Sequence, residues 1–151
     1  MDDLIQVWTD GGCRSNPGPG AWAFVVKGIG LEHDDSGFLE QTTNNCAEYT
    51  ALIKALEFLN ATMQSKHITI RSDSELMVNQ VNGVYDVKTP TLLPLFERAY
   101  DLLAELNENN AVVVTHVRRE FNKEADALCN VVQDAHGVVC ERRKEKKCLQ
   151  N

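Results

Sequence analysis

A chain of 151 residues suits one domain, large enough to bury about two-thirds of the surface that it exposes when unfolded. Hydrophobic content of 43% and charged content of 25% are ordinary for a globular protein, and no apolar run approaches the roughly 18 residues that span a membrane. The net charge of −7 weighs mildly against nucleic-acid binding, which leans on Lys and Arg to neutralise phosphates. Two things soften that exclusion. A cluster of catalytic acids is itself negative, and the positive charge is uneven: Arg142, Arg143, Lys144, Lys146 and Lys147 crowd the last stretch with only Glu141 and Glu145 among them.

Residues 4–10, LIQVWTD, read as a strand ending at an acid. GGCRSNPGPG follows, where Gly and Pro enforce a turn. Residues 21–27 form a second strand and about 36–42 a weaker third, an antiparallel start. Residues 45–60 carry a clear helical period, 67–72 form a strand, and a short helix follows that stops at Gly83. A longer helix occupies 90–109, a buried strand 111–117, and a last helix 122–134 capped by Asn122. The order is β-β-β-α-β-α-α-β-α. Its latter half alternates as βαβ units do, so those strands run parallel with helices packed over them. Residues 1–136 read as one domain and 137–151 as a polar, basic tail. The tail has one apolar stretch, Val138-Val139-Cys140, suited to docking on a sheet edge or helix, and a basic end suited to a nucleic-acid backbone; a disordered, dispensable tail is the alternative.

The acidic start, Met1-Asp2-Asp3, leads straight into a strand pattern, whereas a secretory signal needs a basic start and an apolar stretch. A cytoplasmic protein is expected. The five cysteines, Cys13, Cys46, Cys129, Cys140 and Cys148, are scattered, odd in number and without close-paired metal-ligand spacing. Free, mostly packed thiols are expected, with one bridge through Cys140 or Cys148 as the alternative.

Four acids occupy places where a cluster can form. Asp10 ends the first strand and Asp73 follows another; in open α/β sheets, ligands bind outside the carboxyl ends of strands. Turn and helix-start chemistry explains each acid equally well by itself. Glu48 lies on the same helical face as Ala51, Leu52, Ala55 and Leu59, hence on the apolar stripe facing the sheet. A charge facing a core needs a partner. A metal ion is one candidate; a capping box of Asn45 with Glu48 is the other. Ser72 with Glu75 is the better capping box, which takes Glu75 out of the catalytic set. Asp126 lies in the first turns of the last helix, beside the apolar face made by Ala125, Leu128, Cys129 and Val132, where a solvated flank explains it equally well. Hydrolysing a phosphodiester needs a nucleophile at neutral pH and relief of charge on the leaving oxygen, and two divalent ions supply both. Carboxylates with no His or Cys at ligand spacing fit Mg²⁺ or Mn²⁺ better than zinc.

TDGGCRSNPGPGAWAFVV (9–26), TTNNCAEYTALIKALE (42–57), IRSDSELMVNQV (70–81) and HVRREFNKEADALCN (116–130) together resemble the four motifs of type 1 ribonucleases H, in order and suitably spaced. The resemblance implies a ribonuclease H-like α/β fold: a five-stranded mixed sheet, three strands antiparallel and then parallel strands, flanked by helices. It implies an endoribonuclease that cuts the RNA strand of RNA–DNA hybrids, leaving 5′-phosphate and 3′-hydroxyl ends, with Asp10, Glu48, Asp73 and Asp126 holding two Mg²⁺ or Mn²⁺ ions. Gly11, Cys13, Asn16, Asn44 and Asn45 match positions that line the hybrid's minor groove, where the 2′-hydroxyls distinguish RNA from DNA. Thr43 matches a position that helps hold a DNA phosphate, and Asn122 matches its place in the fourth motif. The chain departs from many relatives in two ways. The basic, Trp-rich protrusion is reduced to NGVYDVKTPT (82–91), the compact branch of the family, which implies weaker substrate binding with a modest salt slope. The loop before the fourth motif lacks a His that relatives often have; Arg118, Arg119 or Glu120 are the local candidates for part of its role, with His136 another if the tail folds back, and plain surface charges are the equal alternative. A related nuclease acting on another nucleic acid and a non-catalytic nucleic-acid-binding module remain as alternatives. A monomer without membrane association is expected.

Overall fold

The computed structural model describes residues 3–139. Five strands form one sheet: β1 (Leu4–Cys13), β2 (Gly18–Gly28), β3 (Leu31–Thr42), β4 (His67–Ser72) and β5 (Ala111–His116), in the order β3-β2-β1-β4-β5. β1 pairs antiparallel with β2 and β2 with β3, whereas β1 pairs parallel with β4 and β4 with β5. The helices are α1 (Asn44–Thr62), α2 (Glu75–Val81), α3 (Leu93–Asn109) and α4 (Lys123–Ala135), with one 3₁₀ turn at Arg119–Phe121. The expected mixed sheet and element order are those observed.

The pleat of β2 divides the molecule. Successive side chains point to opposite faces, so Trp22, Phe24 and Val26 enter the main core with Leu52, Leu56 and Leu59 of α1. Ala21 and Ala23 face the other way, and their small side chains let α4 approach through Cys129, Leu128 and Val132. α1 packs on β1, β2 and α3, while α4 covers β1, β2 and β3. The segment between α2 and α3 carries no helix or strand. It is tied down from beneath: the buried Tyr49 hydroxyl donates to Gln80 Oε1 at 2.6 Å, and Gln80 Nε2 donates to the Asp86 carbonyl at 3.4 Å.

The structure corrects several local expectations. β1 does not end at Asp10 but continues to Cys13, because Gly11, Gly12 and Cys13 stay paired with Trp22, Ala21 and Gly20. β3 begins at Leu31, not near 36. The cap of α2 is Ser74, whose side chain accepts from the Met77 amide, so Ser72 and Glu75 do not form the expected capping box; Ser72 Oγ instead accepts from the Ser74 amide. α1 is capped by Thr43, whose Oγ1 accepts from the Cys46 amide, and this displaces the alternative in which Asn45 and Glu48 cap it. Val138 is buried and docked. Cys140, Cys148 and the basic cluster 142–147 lie outside the described residues; within them Cys13, Cys46 and Cys129 are free thiols.

Candidate active site

The site arises where the parallel ladder stops. The last β1–β4 pair is Thr9 with Ser72, so Asp10 and Asp73 are the first residues past it on each strand. β1 runs on beside β2 alone, leaving a notch next to it beyond the end of β4. Glu48 reaches this notch from α1 and Asp126 comes from α4 on the opposite face. Carboxylate oxygens of Asp10, Glu48 and Asp73 lie within 4.8 Å of one another. Asp10 and Glu48 are only 7% and 8% exposed; Asp73 and Asp126 are half-buried. The surrounding open cleft, about 380 Å³, is lined by Gly11, Cys13, Asn44 and Arg119 among others.

Gathering acids out of water is costly, and their protonation shows it. Burial, then the charges of Asp73 and Asp126, push the Asp10 carboxyl up to about 8 from its ordinary 3.8. Burial, then the charges of Asp10 and Asp73, hold Glu48 well above the usual carboxylate range. Glu48 Oε2 is buried without a hydrogen-bond partner, and among the described residues no basic side chain forms an ion pair with the trio. Three clustered hard oxygen donors, one of them orphaned, fit a divalent cation of the Mg²⁺ or Mn²⁺ kind. A pH dependence follows. A carboxyl whose pKa is raised on folding stabilises the fold below its unfolded value and loses that contribution as pH climbs through its folded value. Without metal, the Asp10 contribution is therefore lost between about pH 4 and about pH 8. A bound cation requires the ionised form and reverses the trend. Melting curves with Mn²⁺ and with chelator should diverge as pH rises across that window; a constant separation would contradict the cluster's electrostatics.

The other expected residues fall into three groups. Cys13, Asn16 and Asn44 are brought together: the Cys13 amide donates to Asn44 Oδ1 at 2.9 Å, and the Asn44 amide donates to Asn16 Oδ1 at 3.2 Å. Gly11 is buried beneath them, with Thr43 and the exposed Asn45 beside Asn44 at the start of α1. Asn122 is different. It is 1% exposed, and its side chain does not cap α4. Its Nδ2 donates to the Thr9 carbonyl at 2.8 Å, tying the start of α4 to the residue before Asp10. Of the His substitutes, Arg119 lines the cleft. Arg118 and Glu120 form an exposed pair at 3.8 Å, and Glu120 lines a separate pocket with Trp8 and Phe121. His136 stacks on Phe38 with ring centroids 3.9 Å apart and is not among the cleft residues. Sequence reasoning missed Arg14, Asn130 and Gln133, all of which line the cleft. Asn130 was findable, since it stands one helical turn after Asp126; nothing local marks Arg14.

The family model for RNase H matches residues 2–133. Ribonuclease HI of Halobacterium salinarum is 37% identical over 132 residues, covering 86% of this chain and 64% of its own length. A ribonuclease H of Thermoanaerobacter is 31% identical over 139 residues, covering 85% of this chain and 86% of that protein. The chain thus spans slightly less than two-thirds of the halobacterial relative and most of the other. LC11-RNase H1, solved in complex with an RNA/DNA hybrid, is 40% identical with a TM-score of 0.78, covering 87% of this chain and 98% of that one.

Proposed function

This chain belongs to the ribonuclease H family, type 1, and from that premise we propose that it is a metal-dependent endoribonuclease hydrolysing the RNA strand of RNA–DNA hybrids. The observation that carries the reading is the trio of buried Asp10, buried Glu48 and half-buried Asp73, with oxygens within 4.8 Å and an orphaned Glu48 oxygen. Asp10, Glu48, Asp73 and Asp126 are the residues that would hold two Mg²⁺ or Mn²⁺ ions. Such ions lower the pKa of water and neutralise charge at a scissile phosphate, which leaves 5′-phosphate and 3′-hydroxyl ends. The protein's own residues do the placing. Gly11, Cys13, Asn16, Asn44 and Asn45 form the floor against the hybrid's minor groove, where amides and backbone groups meet 2′-hydroxyls. Thr43 stands next to them for a phosphate of the DNA strand. Arg119 is the auxiliary residue we favour, since it lines the cleft and its fixed positive charge suits the scissile phosphate. Asn122 holds the frame from below. The domain proper is taken as 1–136, acting as a monomer in the cytoplasm, with 137–151 as its tail. Within the described residues, no helix is long and apolar enough to cross a membrane.

The test is an end-labelled hybrid incubated with Mg²⁺, Mn²⁺ or chelator, beside double-stranded RNA and branched DNA. Metal-dependent cutting of the hybrid's RNA strand is expected; cutting of branched DNA alone would overturn the substrate assignment. With Lys88 the sole base in 82–91, affinity should fall only modestly with salt. Each phosphate contact adds about 0.9 to the log–log slope. A slope equivalent to ten or so contacts would contradict the compact-branch reading.

A further inference from the structure

Asp126 stands outside the tight trio, and what orients it is an amide. Asn130, one turn further along α4, places Nδ2 3.4 Å from Asp126 Oδ2. An asparagine amide can be turned either way about its last bond, and only one orientation presents its NH₂ to a carboxylate; the other sets oxygen against oxygen. Arg14 selects between them. A guanidinium carries donors and no acceptor, and Arg14 Nη2 lies 3.1 Å from Asn130 Oδ1. The amide oxygen is thereby turned to Arg14 and the NH₂ left facing Asp126.

Arg14 is itself clamped. Its Nη1 donates to the Val138 carbonyl at 2.6 Å and meets Asp134 at 2.7 Å, and Nη2 also lies 3.4 Å from the Asn130 carbonyl. The Arg14 side chain is 17% exposed, while that of Asp134 is 66% exposed. An ion pair with so exposed an acid adds little stability. What the clamp supplies is direction.

We propose that Arg14 is a positioning residue: by fixing the Asn130 amide it aims the Asp126 carboxylate into the cleft. The inference rests on the hybrid-cleaving reading given above. It also joins two parts of the site, because Arg14 neighbours Cys13 in the loop that faces the hybrid.

Outer partners of metal-holding groups are commonly worth 10–100-fold in metal affinity or activity. Arg14→Ala and Asn130→Ala should each lower kcat about tenfold and weaken calorimetric Mn²⁺ binding, with KM changed by less than about twofold. Because both act through one path, the double variant should be no worse than the worse single one. Asn130→Asp separates positioning from anchoring. It preserves shape and offers Arg14 a full carboxylate, so the melting temperature should hold, yet it replaces the NH₂ facing Asp126 and kcat should fall as in Asn130→Ala. Lys27→Met removes another tie of α4, the exposed 2.5 Å Lys27–Glu124 pair; it should leave kcat at the wild-type value and the melting temperature little changed. Wild-type turnover and Mn²⁺ affinity in Arg14→Ala and Asn130→Asp, or additive losses in the double variant, would overturn the proposal while leaving the function intact. A wild-type protein that neither binds Mn²⁺ nor cuts the hybrid would bring down the underlying reading, and this inference with it.

Discussion

Asp10→Asn should stop cleavage and, in the same molecule, make the metal-free fold harder to unfold. The two effects share a cause. Asp10 is 7% exposed and crowded by Asp73 and Asp126, which is why its carboxyl is pushed up to about 8. An amide of the same shape carries no charge to desolvate and none for those neighbours to repel. Strain stored at a functional site is released when the function is removed. At neutral pH in chelator, the variant should gain on the order of 1–2 kcal/mol in denaturant unfolding. Cleavage should fall by about 10³-fold or more, since losing roughly 4 kcal/mol of transition-state stabilisation has that effect. Adding Mn²⁺ should stabilise the wild type much more than the variant. Turnover within about tenfold of wild type would show that the chemistry is centred elsewhere.

Gly11→Ala should be severe for a different reason, steric and not electrostatic. A Cβ at Gly11 would stand 2.2 Å from the Ala47 carbonyl oxygen, 2.4 Å from its carbon and 2.8 Å from the Glu48 nitrogen. All three are backbone atoms of α1, so no side chain can turn aside; the helix must move away from β1. Overpacking of this kind typically costs about 1–3 kcal/mol, and the upper end is expected here because the obstruction is main chain. The displacement would also carry Glu48, the next residue, away from Asp10, so cleavage should fall with stability. At Gly12 the contact is milder: the nearest atom is the Asn44 Oδ1 side-chain oxygen at 3.4 Å. Gly12→Ala is the control, with a melting temperature near wild type. Equal melting temperatures for both variants would contradict the close approach of α1 to β1.

Much of the molecule was legible along the chain. The β4 boundaries at His67–Ser72 and the helix around 45–60 follow from periodicity, because burial of one face is written in local residue spacing. Glu48 on an apolar stripe announced a buried charge in need of a partner, and the structure buries it with one oxygen unpaired. The extension of β1 was not legible. Asp, Gly, Gly and Cys look like the start of a turn, but pairing with β2 overrides weak strand propensity. The cap of α2 was misread because two serines offered the same local chemistry. Only the point at which β4 leaves the sheet decides that Ser74, not Ser72, serves α2.

The sequence by itself determined the order of the elements, the faces they bury and the four acids that terminate or flank them. These depend on spacing within a few residues. The tertiary structure decided where hydrogen bonds between distant residues go. Asn122 bonds to Thr9, 113 residues away, and Arg14 to Asn130, 116 residues away. It also decided that Arg119, unlike Arg118 or Glu120, lines the cleft that holds Asp10, Glu48 and Asp126. The reason is physical: apolar burial is set by side-chain periodicity, whereas a polar contact needs two groups at hydrogen-bond distance and in the right orientation. Sheet order supplies that condition here by bringing β1, α1 and α4 to one notch.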